Sequence, residues 1–447
     1  MPVDPSSSVQ TYLDAFNLFE QNGGTHDPSW VRQLRSDAIY RFKDLGFPTA
    51  RKGNEEWKYT DTGPLARTPF MISTEHTPIT VTDDALTQIY CGQSDWNQLV
   101  FLDGIYNEKL SSLGSLPVGV TVQSLTNSLK PWEHLLKPHL ATHVPYEHNS
   151  FAALNTAFIH DGAFVHIPDN ITVEKPILLT FLSTCLAQHS VTQPRVIVLA
   201  GKNSKVSLIE NYQSLFKNSC FTNSVTEIVM EDDCTVEYYK YQNQNPDTYH
   251  ITNTQITQGR NSMFSSVNVD LGGGMVRNNL NLLMAAEGSS CNLNGLYMLT
   301  GTQHVDNQVI IDHAQPYTSS RELYKGILDG RSRSVFHGSI IVREGAQKVD
   351  ARQEDKNLLL SSQAEADTKP AFWIYCDDVK CSHGAACGQI DEEALFYLRS
   401  RCINEQDARA LLVRAFIVEV IDSIKNESFR AHIDNVVQNK LDQWLGY

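Results

Sequence analysis

The sequence predicts a mainly β protein, a β-solenoid core with helical regions at both ends. Three observations lead there. Between residues 150 and 388 the chain breaks into short runs rich in Val, Ile, Tyr and Thr, such as RVIVLAG, KVSLIENY, CTVEYYKY and SIIVREG, many alternating apolar and polar residues with period two. Turn markers separate these runs at a near-regular interval: Gly259, Gly273, Gly288 and Gly301 are 14, 15 and 13 residues apart, and Gly330 and Gly345 are 15 apart. Helical periodicity is confined to the two ends. A strand-and-turn quasi-repeat without helix-length insertions fits a solenoid or a large sandwich, and its persistence over more than 200 residues favours the solenoid.

The first fifty residues read as two helices, with Val9, Tyr12, Leu13 and Phe16 in one window and Trp30, Val31, Leu34, Ala38, Ile39 and Phe42 in the next. Gly46-Phe47-Pro48 ends the second, because a residue before proline avoids the α region and glycine suits a helix terminus. Residues 60–150 are mixed and proline-punctuated, with one strand-like run, QLVFLDG, ending at Gly104. After the core, Asp391 is a candidate N-cap for DEEALFYLRSR, with Glu392 and Glu393 suited to the positive end of the helix dipole. A second helix starts at Asn404. Its middle, ARALLVRAFIVEVIDSI, is apolar around more of its circumference than one core-facing stripe requires, so it reads either as a cap on the solenoid end or as a partner-docking surface. A third segment carries Ile433, Val436, Leu441 and Trp444. The expected division is 1–149, mixed and helical; 150–388, solenoid; 389–447, helical.

A chain of 447 residues with a formal charge of −15 is a poor candidate for neutralising nucleic-acid phosphates or sitting on an anionic membrane. No apolar stretch approaches the roughly 20 residues of a spanning helix, and MPVDPSSSVQ lacks a basic region followed by an apolar run. The expectation is a cytoplasmic protein. Nine cysteines argue against a disulfide framework: Cys91, Cys185, Cys220, Cys234 and Cys291 are scattered and read as small buried hydrophobes, whereas Cys376, Cys381, Cys387 and Cys402 cluster.

No phosphate-cradling GxxxxGK[ST] motif occurs, so no nucleotide hydrolysis is expected of the isolated chain. LGGGMVR lacks dinucleotide-fold spacing and reads as a turn. GxSxG, HExxH and CxxC are absent as well.

The segment from Asn357 to Ile403, NLLLSSQAEADTKPAFWIYCDDVKCSHGAACGQIDEEALFYLRSRCI, resembles the C-terminal signature of the SufB/SufD family, in its SufD branch. GNEEWKYTD at Gly53 to Asp61 resembles that branch's N-terminal motif, and ALNTAFIHDGAFVHIPDNITVEKPI at Ala153 to Ile177 resembles the entry to its core. The SufB branch typically has a His-Glu-Ala-Thr run where this chain has CSHGA at Cys381 to Ala385. Ala386 stands where a Thr is usual, Cys387 is an extra thiol, and Cys402 replaces a usual Gly after the first C-terminal helix. The resemblance implies a right-handed parallel β-helix and a non-catalytic scaffold subunit of the SUF iron–sulfur cluster assembly machinery. It further implies pairing with SufB, and contact between the C-terminal helices and the ATPase SufC. The isolated chain could also form a homodimer.

Cys381 and His383 are two residues apart, so an extended strand puts both on one face, where a soft thiolate beside an imidazole suits iron or an iron–sulfur fragment. Cys376 has opposite parity, and the direction of Cys387 beyond Gly384 cannot be read. A buried Cys and a hydrogen-bonded His without metal is the plain alternative; the resemblance, in which the matching Cys and His take part in cluster assembly at the SufB interface, favours Cys381 and His383 as ligands of a transient cluster or iron. No tightly held cofactor is expected on the chain alone. Cys376 and Cys387 are weaker candidates, including for a closed zinc site with Cys381 and His383. His160 with His166, and His304 and His313 with Asp306 and Asp312, are weaker still. Arg352, Asp355 and Lys356 read as a solvated polar ladder or a subunit rim. The rival functions are a β-helix carbohydrate-active enzyme and a stand-alone metal-binding protein. The first is disfavoured because such enzymes are usually exported and need acid or base groups in a groove.

Overall fold

The computed structural model describes residues 5–22, 27–50, 54–72, 91–186 and 189–445; Gly53 of the N-terminal motif lies outside them. The core is a parallel β-solenoid of about eight coils with helices at both ends. The chain alternates between two sheets. It runs from Arg195–Ala200 in one to Lys205–Ser214 in the other, back through Cys220–Met230, Thr235–Asn243, Tyr249–Gln258 and Met263–Asp270, and onward in the same manner to Lys380–Gly388. Each strand pairs in parallel with those one coil before and after. In the second sheet Cys291, Ser320, Ala351 and Cys381 stack as register partners, 29, 31 and 30 residues apart. The turn-marker interval of about 14 residues is therefore half a coil, one strand plus one corner.

The corners explain the glycines. Gly330 has φ +67°, a left-handed conformation that costs a side-chain-bearing residue about 1 kcal/mol. LGGGMVR is the corner between Met263–Asp270 and Met275–Met284, where a side chain at Gly272 would collide with the carbonyl of Gln244.

Inside the coil, Val196, Leu208, Ile228, Val236, Phe264, Val276, Leu293, Val305 and Ile340 form one continuous apolar column. Complete burial of each such side chain contributes roughly 1.5–3 kcal/mol. Polar groups in the lumen pair with one another: Lys240 Nζ donates to Asn278 Oδ1 at 2.6 Å and lies 3.6 Å from Asp270.

Each sheet also has its outer face covered, which accounts for strands that are buried on both sides. Over the first sheet lie the helices Pro5–Asn22, Ser29–Leu45 and Ser150–Ala157, packing Tyr12, Phe16, Phe42 and Phe151, together with Trp57 of the short turn Glu55–Trp57, against Phe221 and Ile251. Gly46, at φ +62°, ends the second helix with its N–H on the Phe42 carbonyl, as its sequence context predicts. Arg195 and Glu227 form an ion pair at 2.6 Å beneath this layer, both fully buried. Over the second sheet lie Glu392–Ser400, Glu405–Asp422 and Glu427–Leu445, whose Val413, Ile417, Ile421, Phe429 and Ile433 pack on Tyr239, Val267, Leu296 and Ile327. Asp391 and Asn404 cap the first two of these helices through their side chains. These helices pack along the outer face of the second sheet.

The two ends of the solenoid differ. At the start, Asn97–Leu102 extends the second sheet and pairs with the antiparallel Ile105–Tyr106, while the antiparallel Thr121–Ser124 borders the first sheet. At the finish, Lys380–Gly388 pairs with Asp350–Leu359 on one side only, and among the described residues no strand takes its other edge.

Cys185 and Cys220 are disulfide-bonded, with Cα atoms 5.9 Å apart. The expectation that both are merely buried hydrophobes is therefore corrected. Residues 35 apart in sequence meet because the coil returns to the same corner after one turn.

Candidate functional site

Register determines what each residue of the last strand faces. Cys381, His383, Ala385 and Cys387 lie beside Ala351, Gln353, Asp355 and Asn357. Those four are buried in the lumen, so the odd-numbered residues of the last strand share the lumen side. With no coil above, that side is the mouth of the solenoid, and every residue of Lys380–Gly388 except Cys381 is exposed. The strand continues through Gly384 without turning, so Cys387 joins the same face. Cys376 lies in the corner between Ala371–Ile374 and Lys380–Gly388, where its thiol donates to the Arg343 carbonyl at 3.3 Å, so parity does not govern its direction.

Cys381 is half-buried against the core, and desolvation raises its thiol pKa above the ordinary value, opposed by the Ala351 backbone and reinforced by Asp350. His383 packs on Phe372 of the opposite sheet, with ring centroids 4.4 Å apart. The exposed Cys387 thiol is raised by desolvation and by Asp355. A cleft of about 370 Å³ runs along residues 352–356 and 382–386. Among the described residues, no three or more His, Cys, Asp or Glu side chains converge as a metal shell.

Below the mouth the lumen holds carboxyl groups whose roles sequence reasoning missed. Gln353 Nε2 donates to Glu322 at 2.7 Å, and burial pushes that carboxyl up to about 8. Asp355 accepts from Asn357 at 2.8 Å and from the Tyr297 hydroxyl at 3.3 Å; burial raises it to about 6. Its parity with Gln353 and Asn357 was the available signal. The polar ladder expected of Arg352, Asp355 and Lys356 is instead Arg352, Glu354 and Lys356, with Lys356 2.6 Å from Glu354.

The histidine pairs do not assemble. His304 shares a hydrogen bond with Thr60 at 2.9 Å, whereas His313 lies between Thr318 and Ser320, its pKa lowered by burial to about 4. Asp306 is committed to Arg277 at 2.6 Å, and Asp312 to Arg343. His160 meets Phe19, and His166 packs with Phe164 and Trp132.

Comparison with known proteins places the chain in a family. Residues 182–416 match the family model for the SUF system FeS cluster assembly SufBD core domain, and residues 6–179 match that for the SufBD protein N-terminal region. An iron–sulfur cluster assembly SufBD family protein of Synechocystis is 32% identical over 439 residues, covering 96% of this chain and 95% of that protein. The iron–sulfur cluster assembly protein SufD of Escherichia coli is 29% identical, with 93% of each chain covered, and SufD of Bacillus subtilis is 25% identical over 97% of this chain and 98% of its own. A parallel solenoid with helices at both ends, matched by these models along nearly its whole length, belongs to the SufBD family of the SUF iron–sulfur cluster assembly system.

Proposed function

We propose that this chain is a non-catalytic scaffold subunit of the cytoplasmic SUF machinery, joining SufB at the open mouth of its solenoid and sheltering a nascent iron–sulfur cluster there. The observation that carries this proposal is the free edge of Lys380–Gly388, which presents Cys381 and His383 on the lumen side of an exposed strand. An edge strand offers backbone donors and acceptors to a partner strand. Two soft ligands on one chain leave iron short of its usual four, so SufB supplies the rest. Iron and cluster are cargo, held transiently at the interface. Cys387 is positioned to assist from the same face, whereas Cys376 is engaged with a corner carbonyl.

SufC, the subunit that hydrolyses ATP in this proposal, docks on the helix Glu405–Asp422 in the 389–447 unit. Leu411 and Val418 are exposed there although the helix already buries Val413, Ile417 and Ile421. Leu411→Glu and Val418→Glu should remove SufC from the complex while the fold is retained.

The test of the mouth is anaerobic reconstitution with SufB and SufC. His383→Ala and Cys381→Ser should each slow cluster formation at least tenfold, followed by visible absorption, and leave complex assembly on gel filtration unchanged. Cluster formation at the normal rate in both variants would make the pair structural.

A further inference from the structure

We propose that the Cys185–Cys220 pair is a reversible redox site that locks one wall of a second cleft, distinct from the cleft along residues 352–356 and 382–386. The cleft, about 660 Å³, lies between the N-terminal segment bearing Tyr59, Asp61 and Pro64 and successive solenoid corners carrying Lys217–Ser219 and Pro246–Tyr249.

The pair is a node for those corners. Cys185 follows the strand Ile177–Ser183, and Cys220 opens the strand Cys220–Met230 of the opposite sheet. Asn218 Nδ2 donates to the Cys185 carbonyl at 2.6 Å. Asn245 Nδ2 donates to the carbonyls of Phe216 and Asn218 at 2.9 and 3.1 Å, and lies 3.7 Å from Cys185 Sγ. The corner's far side reaches the N-terminal region, since the His189 N–H bonds the Ser219 carbonyl and the Met71 N–H bonds that of His189. The S–S bond thus ties Cys220 to the corner before it, Asn245 ties Phe216 and Asn218 to the corner after it, and Lys217–Ser219 between them form a wall of the cleft.

Three features make the site reversible in place. The Cα separation of 5.9 Å is within the range of ordinary disulfides, so no backbone rearrangement is needed to close or open it. Both thiols are buried, yet Leu186 and Phe216 beside them are about half exposed, so the pair is one residue beneath the surface. Ser190 Oγ, 3.4 Å from Cys220 Sγ, remains as a polar neighbour for the open thiol. Closure follows thiol–disulfide exchange with a small disulfide. One cysteine thiolate attacks it, forming a mixed disulfide and releasing one thiol; the second cysteine then displaces the other half. The two cysteines lose two electrons and two protons, and the small disulfide is reduced to two thiols.

The test uses the full-length protein equilibrated in glutathione buffers from fully reduced to fully oxidised, acid-quenched and alkylated. Peptide masses should show Cys185 and Cys220 changing together, both alkylated at the reducing limit and neither at the oxidising limit, with the protein folded throughout. On reduction, hydrogen exchange in a peptide spanning 215–220 should accelerate tenfold or more, with Ser319–Leu328 unchanged. Free thiols at the oxidising limit, or a bond that resists reduction until the protein unfolds, would overturn the proposal. Unchanged exchange at 215–220 would overturn the locking role. Neither readout depends on a substituted protein that might fail to fold.

Discussion

The ring of His383 packs on the ring of Phe372, with centroids 4.4 Å apart and planes inclined by 33°, joining the last strands of the two sheets across the mouth of the solenoid. Such a contact contributes about 0.5–1.5 kcal/mol beyond area burial and restricts the imidazole. Phe372→Ala should therefore reduce cluster formation by roughly two- to tenfold in the reconstituted complex, since 1.4 kcal/mol corresponds to a factor of ten. Phe372→Tyr, which keeps the ring, should retain most of the rate. Equal rates for Ala and Tyr would show that Phe372 does not position His383.

Glu322 links the lumen to pH. Burial raises its carboxyl from 4.5 to about 8, so the folded state holds the proton more tightly than the unfolded chain. The stability this provides is complete below about pH 4.5 and is lost as pH rises through about 8. Lys440, lowered to about 8 by burial, acts in the opposite direction, so the difference between proteins isolates Glu322. Relative to Glu322→Gln, the unsubstituted protein should lose melting temperature steadily from about pH 5 to about pH 8 and level off above that. Parallel curves would place the Glu322 titration outside that window.

Arg195→Met should destabilise by about 3 kcal/mol in denaturant unfolding. It leaves the Glu227 carboxylate buried without its cation, and removing one partner of a buried pair costs about 3–5 kcal/mol. The lower end applies because the backbone N–H groups of Ala141, His143 and Val144 still donate to Glu227. Adding Glu227→Leu should recover part of the loss; a double variant weaker than the sum of the singles would contradict this account.

Cys402→Gly should stabilise the chain by about 0.5–1 kcal/mol. Cys402 has φ +65°, and the Ile403 N–H reaches the Leu398 carbonyl at 3.3 Å, so the left-handed helix ending forms although cysteine suits it poorly. A lower melting temperature in the glycine variant would refute the strain argument.

Local patterning made the solenoid and the helix termini legible. Period-two alternation and regular corners identify strands and their spacing, and Gly46, Asp391 and Asn404 end or begin helices by interactions confined to neighbouring residues. The parity of Cys381 and His383 placed both on one face before any pairing was known. What parity cannot say is which face is inside, because that depends on the strand one coil away. Asp355 read as part of an exposed ladder and proved to be a lumen residue for this reason, and Cys387 could not be oriented until the strand was seen to run on to Gly388. Cys185 and Cys220, 35 residues apart, meet only because the coil brings its corners into register. The same holds for the open edge at Lys380–Gly388: composition identifies a strand, but whether another strand lies beside it is a property of the closed coil. Tertiary structure decided these points because they arise from contacts about thirty residues apart in sequence, whereas alternation and capping act over two to four.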